Sequence, residues 1–252
     1  MENYITTSFF DIFKTGPGPS SSHTIGPMKA AFDFHMAIQP VDLSQNPSEL
    51  SIDVYLYGSL SLTGEGHGTH KAALGGLMGW QPDSCNCDQL LTLLAEPDKI
   101  YELPCGDKVV HFSSNNIHYE GADDSLAYQN TVRFTLSAEG VIVLEKEYYS
   151  IGGGFIKCQG ETDPEVPAPP HKYNNMRSFR KILLRSGMTL REVMYENEMA
   201  ITGKSKEEIV RGIDGIIESI SSFPPILKLT SCQSRLIGDI PDSAVLLEKS
   251  WR

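Results

Sequence analysis

Pro27 restricts the N-terminal fold more than any other residue of the sequence. It closes the stretch GPGPSSSHTIGP, residues 16–27, in which two glycine–proline pairs lead into three serines, a histidine and a threonine. Proline lacks a backbone N–H and clashes inside a helix, but the first helical turn tolerates it. We therefore predict that Thr24 caps a helix reaching about Ile38, with the serines and His23 at its mouth.

Residues 51–158 combine strand and helix patterns. Alternating apolar and polar residues predict strands at 51–58, 109–112, 130–137 and 141–149, and two further segments predict helices at 71–80 and 87–95. Gly140 marks a hairpin turn between the last two strands. Three glycines in YYSIGGGF interrupt an apolar strand, which indicates a bulge or a close backbone approach. The segment SLSLTGEGHGTH is predicted as a hydroxyl- and glycine-rich loop after the first strand.

A polar, proline-rich segment then separates two parts of the chain. The signals beyond it are a helix at 176–186 followed by Gly187, capping boxes at Thr189–Glu192 and Ser205–Glu208, and Pro224–Pro225 after a helix reaching about Ser222. We predict an α+β (mixed α/β) N-terminal domain followed by a short helical segment. The predicted divisions are a domain at 1–158, a linker at 159–175, helices at 176–222 and an irregular tail at 223–252.

Composition excludes several classes of partner. The formal net charge is −11, so the chain has no basic footprint for nucleic acid or anionic lipid. The first residues, MENYITTSFFDIFK, lack the pattern of a signal peptide, and no run of 18 apolar residues occurs. We therefore expect a cytoplasmic protein that binds neither nucleic acid nor membrane.

The five cysteines do not indicate a disulfide framework, because their number is odd and their spacing is scattered. Cys85 and Cys87 flank a single residue and suit a metal ion in principle. Two reduced thiols in a polar loop are the favoured interpretation, and we assign no metal ligand in this chain.

The helix mouth is the first candidate site. The N-terminus of a helix offers free N–H groups and the positive end of the helix dipole. Hydroxyls beside it form a pocket for a carboxylate or a phosphate, and the candidates are Ser20, Ser21, Ser22 and Thr24. Simple capping is the alternative, but capping needs only one hydroxyl.

The loop after the first strand is the second candidate site. It carries His67, Thr69 and His70, and with His23 it supplies imidazoles that exchange protons near neutral pH. If the two loops meet, they form a cleft for a small carboxylic acid. A zinc site of the three histidines lacks a helical HxxxH spacing, and a serine hydrolase lacks a GxSxG elbow. Both alternatives are less favoured.

Three long motifs, in this order, resemble the iron–sulfur L-serine dehydratases, which are L-serine ammonia-lyases. The motifs are DIFKTGPGPSSSHTIGPMKA, GSLSLTGEGHGTHKA and YYSIGGGF, and the similarity covers about residues 8–38, 51–80 and 130–157. The segment MTLREVMYENEMAITGKSKEEI also resembles the start of that family's catalytic α domain. The resemblance implies conversion of L-serine to pyruvate and ammonia, a step of serine catabolism. It also implies the family's β-domain fold, and a 4Fe-4S cluster that acts as a Lewis acid on the substrate.

The resemblance also implies roles for individual residues. His67 and Thr69 are expected near the reacting group, with His23 assisting. Ser22 is expected to help hold the carboxylate, beside the other substrate-binding candidates Ser20, Ser21 and Thr24. The family usually has aspartate where this chain has His70, which changes how the second loop is held.

The cluster-binding cysteines of the family are not matched by any cysteine of this chain. The resemblance therefore implies a truncated chain that is inactive alone, with L-serine as its small-molecule ligand and a homodimer left open. The alternative is a module that binds serine or another small carboxylate without catalysis, since the family's β domain resembles an allosteric substrate-binding domain. Pairing with a separate α subunit is a weaker alternative, because the helices at 176–222 would be duplicated.

Overall fold

The computed structural model describes residues 4–18, 20–43, 47–96, 98–122, 125–162 and 166–222. The chain divides into two compact units, one formed by Gly16–Glu161 and the other by Met1–Thr15 with Thr162–Phe223. The domain boundaries predicted from sequence stay a prediction, and the predicted tail at 223–252, with Pro224–Pro225, lies outside the described residues.

The described helices are α1 (Phe9–Ile12), α2 (Gly26–Ile38), α3 (Gly58–Thr63), α4 (Thr69–Leu77), α5 (Cys87–Thr92), α6 (Met176–Ser186), α7 (Leu190–Thr202) and α8 (Lys206–Ser222). A π-helical turn, Ser21–Ile25, precedes α2, and a 3-10 turn covers Ser114–Asn116. The strands are β1 (Leu50–Tyr57), β2 (Tyr101–Cys105), β3 (Lys108–Phe112), β4 (Ile117–Tyr119), β5 (Asn130–Ala138), β6 (Val141–Gly152) and β7 (Phe155–Cys158). Among the described helices, none has the length and apolar character needed to cross a membrane.

Five strands form a mixed sheet in the order β4-β1-β5-β6-β7. β1 and β4 run parallel, and all other neighbours in this sheet run antiparallel. β2 and β3 form a separate antiparallel pair. The register shifts between Ser150 and Gly152, so the predicted bulge at the glycine motif is confirmed. The combination of a mixed sheet with helices confirms the predicted α+β class.

One face of the sheet carries the core of this unit. Successive side chains of a strand point to opposite faces, and Ile52, Val54 and Leu56 of β1 are all fully buried. They belong to one apolar cluster with Met28 and Phe34 of α2. Burial of such side chains contributes about 25 cal/mol per Å² of apolar surface, which holds α2 against the sheet.

α2 and α4 approach each other closely because α4 consists largely of small residues. A Cβ atom on Gly76 would lie 2.3 Å from the carbonyl oxygen of Met28 and 2.6 Å from Cβ of Ala31. The helix predicted at 71–80 is confirmed, although it begins at Thr69 and ends at Leu77. This packing holds the beginning of α4 next to the turn that precedes α2.

The helix mouth differs from the prediction in its cap. Ser20 caps the helix, not Thr24, because Ser20 Oγ accepts a hydrogen bond from the His23 N–H at 3.2 Å. Thr24 lies inside the π-helical turn Ser21–Ile25, which leaves its hydroxyl available to another segment. The position of Pro27 in the first turn of α2 is confirmed.

Four elements were missed by the sequence patterns: the short helix α1, α3, β2 and β4. α3 forms within the predicted loop, where Thr63 Oγ1 donates back to the Ser59 carbonyl at 2.9 Å. β2 contains Pro104, which cannot donate to a ladder and therefore concealed an otherwise alternating strand. β4 has only three residues, too few for a periodic pattern.

The other unit contains the three predicted C-terminal helices. Asn175 caps α6, and Gly187 follows it with a φ of 67°. The capping box of Thr189 and Glu192 starts α7, as predicted. Ser205 Oγ accepts from the Glu208 N–H at 3.2 Å, which confirms the second capping box at the start of α8.

Candidate functional site

The two predicted site loops lie side by side. The first is the π-helical turn Ser21–Ile25, and the second is the turn between α3 and α4. They bring the rings of His23 and His67 to a centroid distance of 4.9 Å. The expected meeting of the two loops is therefore observed, and it places two imidazoles at the mouth of one helix.

Two threonine hydroxyls join the loops reciprocally. Thr24 Oγ1 donates to the carbonyl of His67 at 3.0 Å, and Thr69 Oγ1 donates to the carbonyl of His23 at 2.5 Å. Pro27 has no N–H to offer the His23 carbonyl four residues before it, so Thr69 supplies a donor. Both threonines are 0% exposed. In this arrangement each hydroxyl is bonded to a backbone carbonyl and holds the histidine of the opposite loop through its backbone.

Hydroxyls bind both ring nitrogens of His23. Ser22 Oγ lies 2.9 Å from Nδ1, and Ser59 Oγ lies 2.9 Å from Nε2. Burial lowers the pKa of His23, and the neighbouring His67 ring lowers it further. The ring is therefore held as a neutral imidazole near pH 7, with one nitrogen protonated.

The tautomer of His67 follows from its hydrogen bond. Its Nδ1 lies 2.8 Å from the carbonyl oxygen of Thr63. A carbonyl oxygen only accepts, so Nδ1 carries the proton. In the neutral ring, Nε2 therefore has the lone pair, and within the described residues it has no hydrogen-bond partner. This is the arrangement of a histidine that accepts a proton.

The serines line the helix mouth. Ser20, Ser21 and Ser22 are each half-buried, and the hydroxyls of Ser20 and Ser22 lie 3.3 Å apart. Ser20 is committed to capping, whereas Ser22 contacts the His23 ring. The capping and the ring contact thus involve different hydroxyls. In addition, the first N–H groups of a helix have no intrahelical acceptor.

The sheet contributes two polar residues that the sequence reasoning did not single out. On the core face, the apolar pairing of Leu56 with Val132 is followed by Gly58 opposite Asn130. Asn130 Nδ2 lies 3.4 Å from the carbonyl of Ser150 at the end of β6. The polar ends of these strands lie under the helix mouth. The sequence signal that could have pointed to Ser150 is the serine within the motif YYSIGGGF.

Asn130 Oδ1 and Ser150 Oγ are buried and have no hydrogen-bond partner in the described part of the chain. Ser150 is only 3% exposed. A Cβ atom on Gly26 would lie 2.2 Å from Ser150 Oγ, so glycine is required where the helix crosses this serine. An unpaired buried polar atom costs about 1–3 kcal/mol, so each one in a folded protein calls for an explanation, such as a role at a functional site.

His70 follows His67 closely in sequence but differs from His23 and His67 in environment. Its Nδ1 is buried without a hydrogen-bond partner among the described residues, and burial lowers its pKa from 6.5 to about 4. The described residues also contain no group of three histidine, cysteine, aspartate or glutamate side chains that could hold a metal ion. The zinc alternative therefore gains no support from the geometry.

The described cysteines do not fit the iron–sulfur cluster that the resemblance implies. Cys105 and Cys158 are buried in the apolar core. A hydrogen bond with Cys87 and then burial raise the pKa of the Cys85 thiol, which opposes the thiolate form that a cluster needs. Cys232 lies outside the described residues.

The fold and the site define a mixed α/β domain that presents two imidazoles and a row of serines at a helix mouth. A family model described as serine dehydratase beta chain matches residues 8–161. The chain belongs to that family.

Several curated relatives are named L-serine dehydratase. L-serine dehydratase 2 of Escherichia coli is 36% identical over 216 residues, which cover 84% of this chain and 47% of that protein. The enzyme of Haemophilus influenzae is 37% identical over 78% of this chain and 44% of its own length. That of Streptomyces coelicolor is 31% identical over 82% of this chain and 46% of its own length. The chain spans about half the length of the curated relatives it matches.

Replacement of either threonine by valine tests the reciprocal bonds. Thr24→Val and Thr69→Val keep the side-chain shape but leave a carbonyl without its donor. We expect each to lower the free energy of unfolding by about 1–3 kcal/mol in urea denaturation. Thr92→Val is the control, because the Thr92 hydroxyl donates within its own exposed helical turn and should matter little. Unchanged stability in both site variants would refute the role of these bonds.

His70 predicts a pH dependence of stability. Its pKa is about 4 in the fold and 6.5 as an ordinary value, so the unfolded chain binds the proton more tightly. The stabilisation is complete above pH 6.5 and is lost as the pH falls toward 4. The loss is at most about 3 kcal/mol. In His70→Gln, stability measured across this range should fall less steeply, whereas His111→Gln, at an exposed position, should follow the wild type. Identical slopes for His70→Gln and wild type would contradict the assignment.

Proposed function

We propose that this chain is the substrate-binding part of an L-serine dehydratase, which converts L-serine to pyruvate and ammonia. The family and the names of the relatives support the reaction class. The observation that carries the proposal is the pair of imidazoles, His23 and His67, 4.9 Å apart at a serine-lined helix mouth. A small hydroxy amino acid offers a carboxylate to the helix mouth and an α-proton to an imidazole.

The carboxylate of the substrate is proposed to bind at the helix mouth. Ser22 donates its hydroxyl to it, and the free N–H groups of the first turn and the helix dipole add to the attraction. Ser20 and Ser21 complete the rim of this pocket. Burial of a carboxylate needs several such donors, because an unpaired buried charge is strongly unfavourable.

His67 is proposed as the base that takes the α-proton. Its Nε2 lone pair is set by the hydrogen bond from Nδ1 to the Thr63 carbonyl. When the Cα–H bond breaks, the proton passes to His67 Nε2, the electron pair forms the double bond to Cβ, and the β-hydroxyl leaves with its bonding electrons as hydroxide. The products are aminoacrylate and, once His67 returns its proton to the hydroxide, water. Aminoacrylate tautomerises to the imine, which a water molecule hydrolyses to pyruvate and ammonia. Thr69, predicted to lie near the reacting group, is proposed instead to position His23, as Thr24 positions His67.

The iron–sulfur cluster of the family would supply Lewis-acid assistance to departure of the hydroxyl. Because the described cysteines do not fit such a cluster, we derive no step through it and propose that this chain alone does not turn over serine. The second candidate function, binding of a small carboxylate without catalysis, is favoured by the same observation. Cytoplasmic location and a homodimer stay predictions.

Calorimetry with L-serine tests the binding site. We expect a measurable heat of binding in the wild type and an affinity about tenfold lower in Ser22→Ala, since a hydrogen bond to a charged group contributes about 1.5–3 kcal/mol. His111→Gln, on the exposed face of β3, should bind as the wild type does. An absence of heat with L-serine, or equal affinity in Ser22→Ala, would defeat the proposal.

An anaerobic assay tests whether the chain alone is inactive. The purified chain is treated with iron and sulfide under reducing conditions and then mixed with L-serine. We expect no pyruvate above the level seen with the His67→Gln control. Pyruvate that depends on both L-serine and His67 would show that the chain assembles its own catalytic centre.

A further inference from the structure

His23 links two serines from different segments of the fold. Ser22 Oγ lies 2.9 Å from Nδ1, and Ser59 Oγ, at the start of α3, lies 2.9 Å from Nε2. A neutral imidazole has one N–H and one lone pair. One of the two serines must therefore donate to the ring while the other accepts from it, which gives two arrangements of the same three groups.

Each serine hydroxyl has another acceptor within reach. Ser22 Oγ lies 3.3 Å from Ser20 Oγ, which already accepts from the His23 N–H. Ser59 Oγ lies 3.5 Å from Thr63 Oγ1, whose own hydrogen is given to the Ser59 carbonyl. Both hydroxyls can therefore turn away from the ring.

A bound carboxylate removes this freedom, because carboxylate oxygens only accept hydrogen bonds. If Ser22 donates to the carboxylate, its oxygen can only accept from the ring, so Nδ1 must carry the proton. Nε2 then has the lone pair, and the Ser59 hydroxyl must turn to donate to it. The hydrogen bond from Ser22 to the carboxylate therefore sets the donor and the acceptor in both hydrogen bonds of the His23 ring.

We propose that carboxylate binding at Ser22 sets His23 in the Nδ1–H tautomer and turns the Ser59 hydroxyl toward Nε2. Ser59 is thus a positioning residue: it lies 36 residues from His23 in sequence, and its hydroxyl hydrogen-bonds to the His23 ring. The proposal rests on the carboxylate site of the proposed function. It makes the arrangement of the site depend on the acid group, so an amino alcohol without a carboxylate would leave His23 in both arrangements.

Nitrogen NMR of the chain labelled with ¹⁵N-histidine tests the proposal. A protonated ring nitrogen resonates well upfield of one with a lone pair, and His23→Gln identifies the signals. At saturating L-serine we expect the His23 signals to move to the Nδ1–H pattern, whereas ethanolamine at the same concentration should leave them unchanged. An Nε2–H pattern, or no change with L-serine bound, would overturn the inference.

Three variants locate the effect. In Ser22→Ala, the bound and free spectra should have the same His23 pattern. In Ser59→Ala, L-serine should still produce Nδ1–H, but the Nε2 signal should shift downfield because it has lost its donor. Ser84→Ala, at an exposed loop position, should match the wild type. A tautomer change that persists in Ser22→Ala would contradict the inference.

Calorimetry separates the two possible failures. Absence of binding to the wild type defeats the proposed function itself. Binding without the tautomer change leaves the proposed function intact and defeats the inference about His23 and Ser59.

Discussion

Two hydroxyl-to-carbonyl hydrogen bonds hold the site together. Thr24 and Thr69 each donate to the backbone of the opposite histidine, and both are buried from water. Pro27 accounts for one of these bonds, since it leaves the His23 carbonyl without an N–H donor four residues on. The positions of His23 and His67 thus depend on two buried hydroxyls bonded to their backbone, and these bonds leave both imidazole rings free of that task.

The sheet contributes polar residues to the same site, at the ends of the strands that lie under the helix mouth. Along β1 and β5, inward-facing residues are apolar until Gly58 and Asn130, where small and polar residues replace them. Ser150, two residues before the end of β6, lies at the same level, against Gly26 of the helix. Replacing apolar side chains by small or polar ones at this level of the sheet lowers the stabilisation that apolar burial provides there. Such a local departure from the fold's own pattern is typical of a functional site.

The elements that position the site were largely predictable, because their signals are local. Periodicity and Pro27 place the first long helix, and alternation places β1 and the β5–β6 hairpin. The residues of the two loops stand out as unusual hydroxyl and imidazole clusters. The contacts between distant segments could not be predicted from the sequence. Nothing in the residue pattern shows that the Thr24 hydroxyl points to His67, or that Asn130 lies beside Ser150, because these contacts join segments far apart in the chain. The cap predicted at Thr24 was wrong because a π-helical turn precedes α2, and helical periodicity does not anticipate its wider turn.

A crystal structure of the chain with bound L-serine tests the central claim most directly. We expect the carboxylate within hydrogen-bonding distance of Ser22 Oγ and Cα facing Nε2 of His67, with the two threonine bonds unchanged. Serine bound elsewhere on the chain, or bound with its carboxylate away from the helix mouth, would contradict the assignment of the two loops to one site.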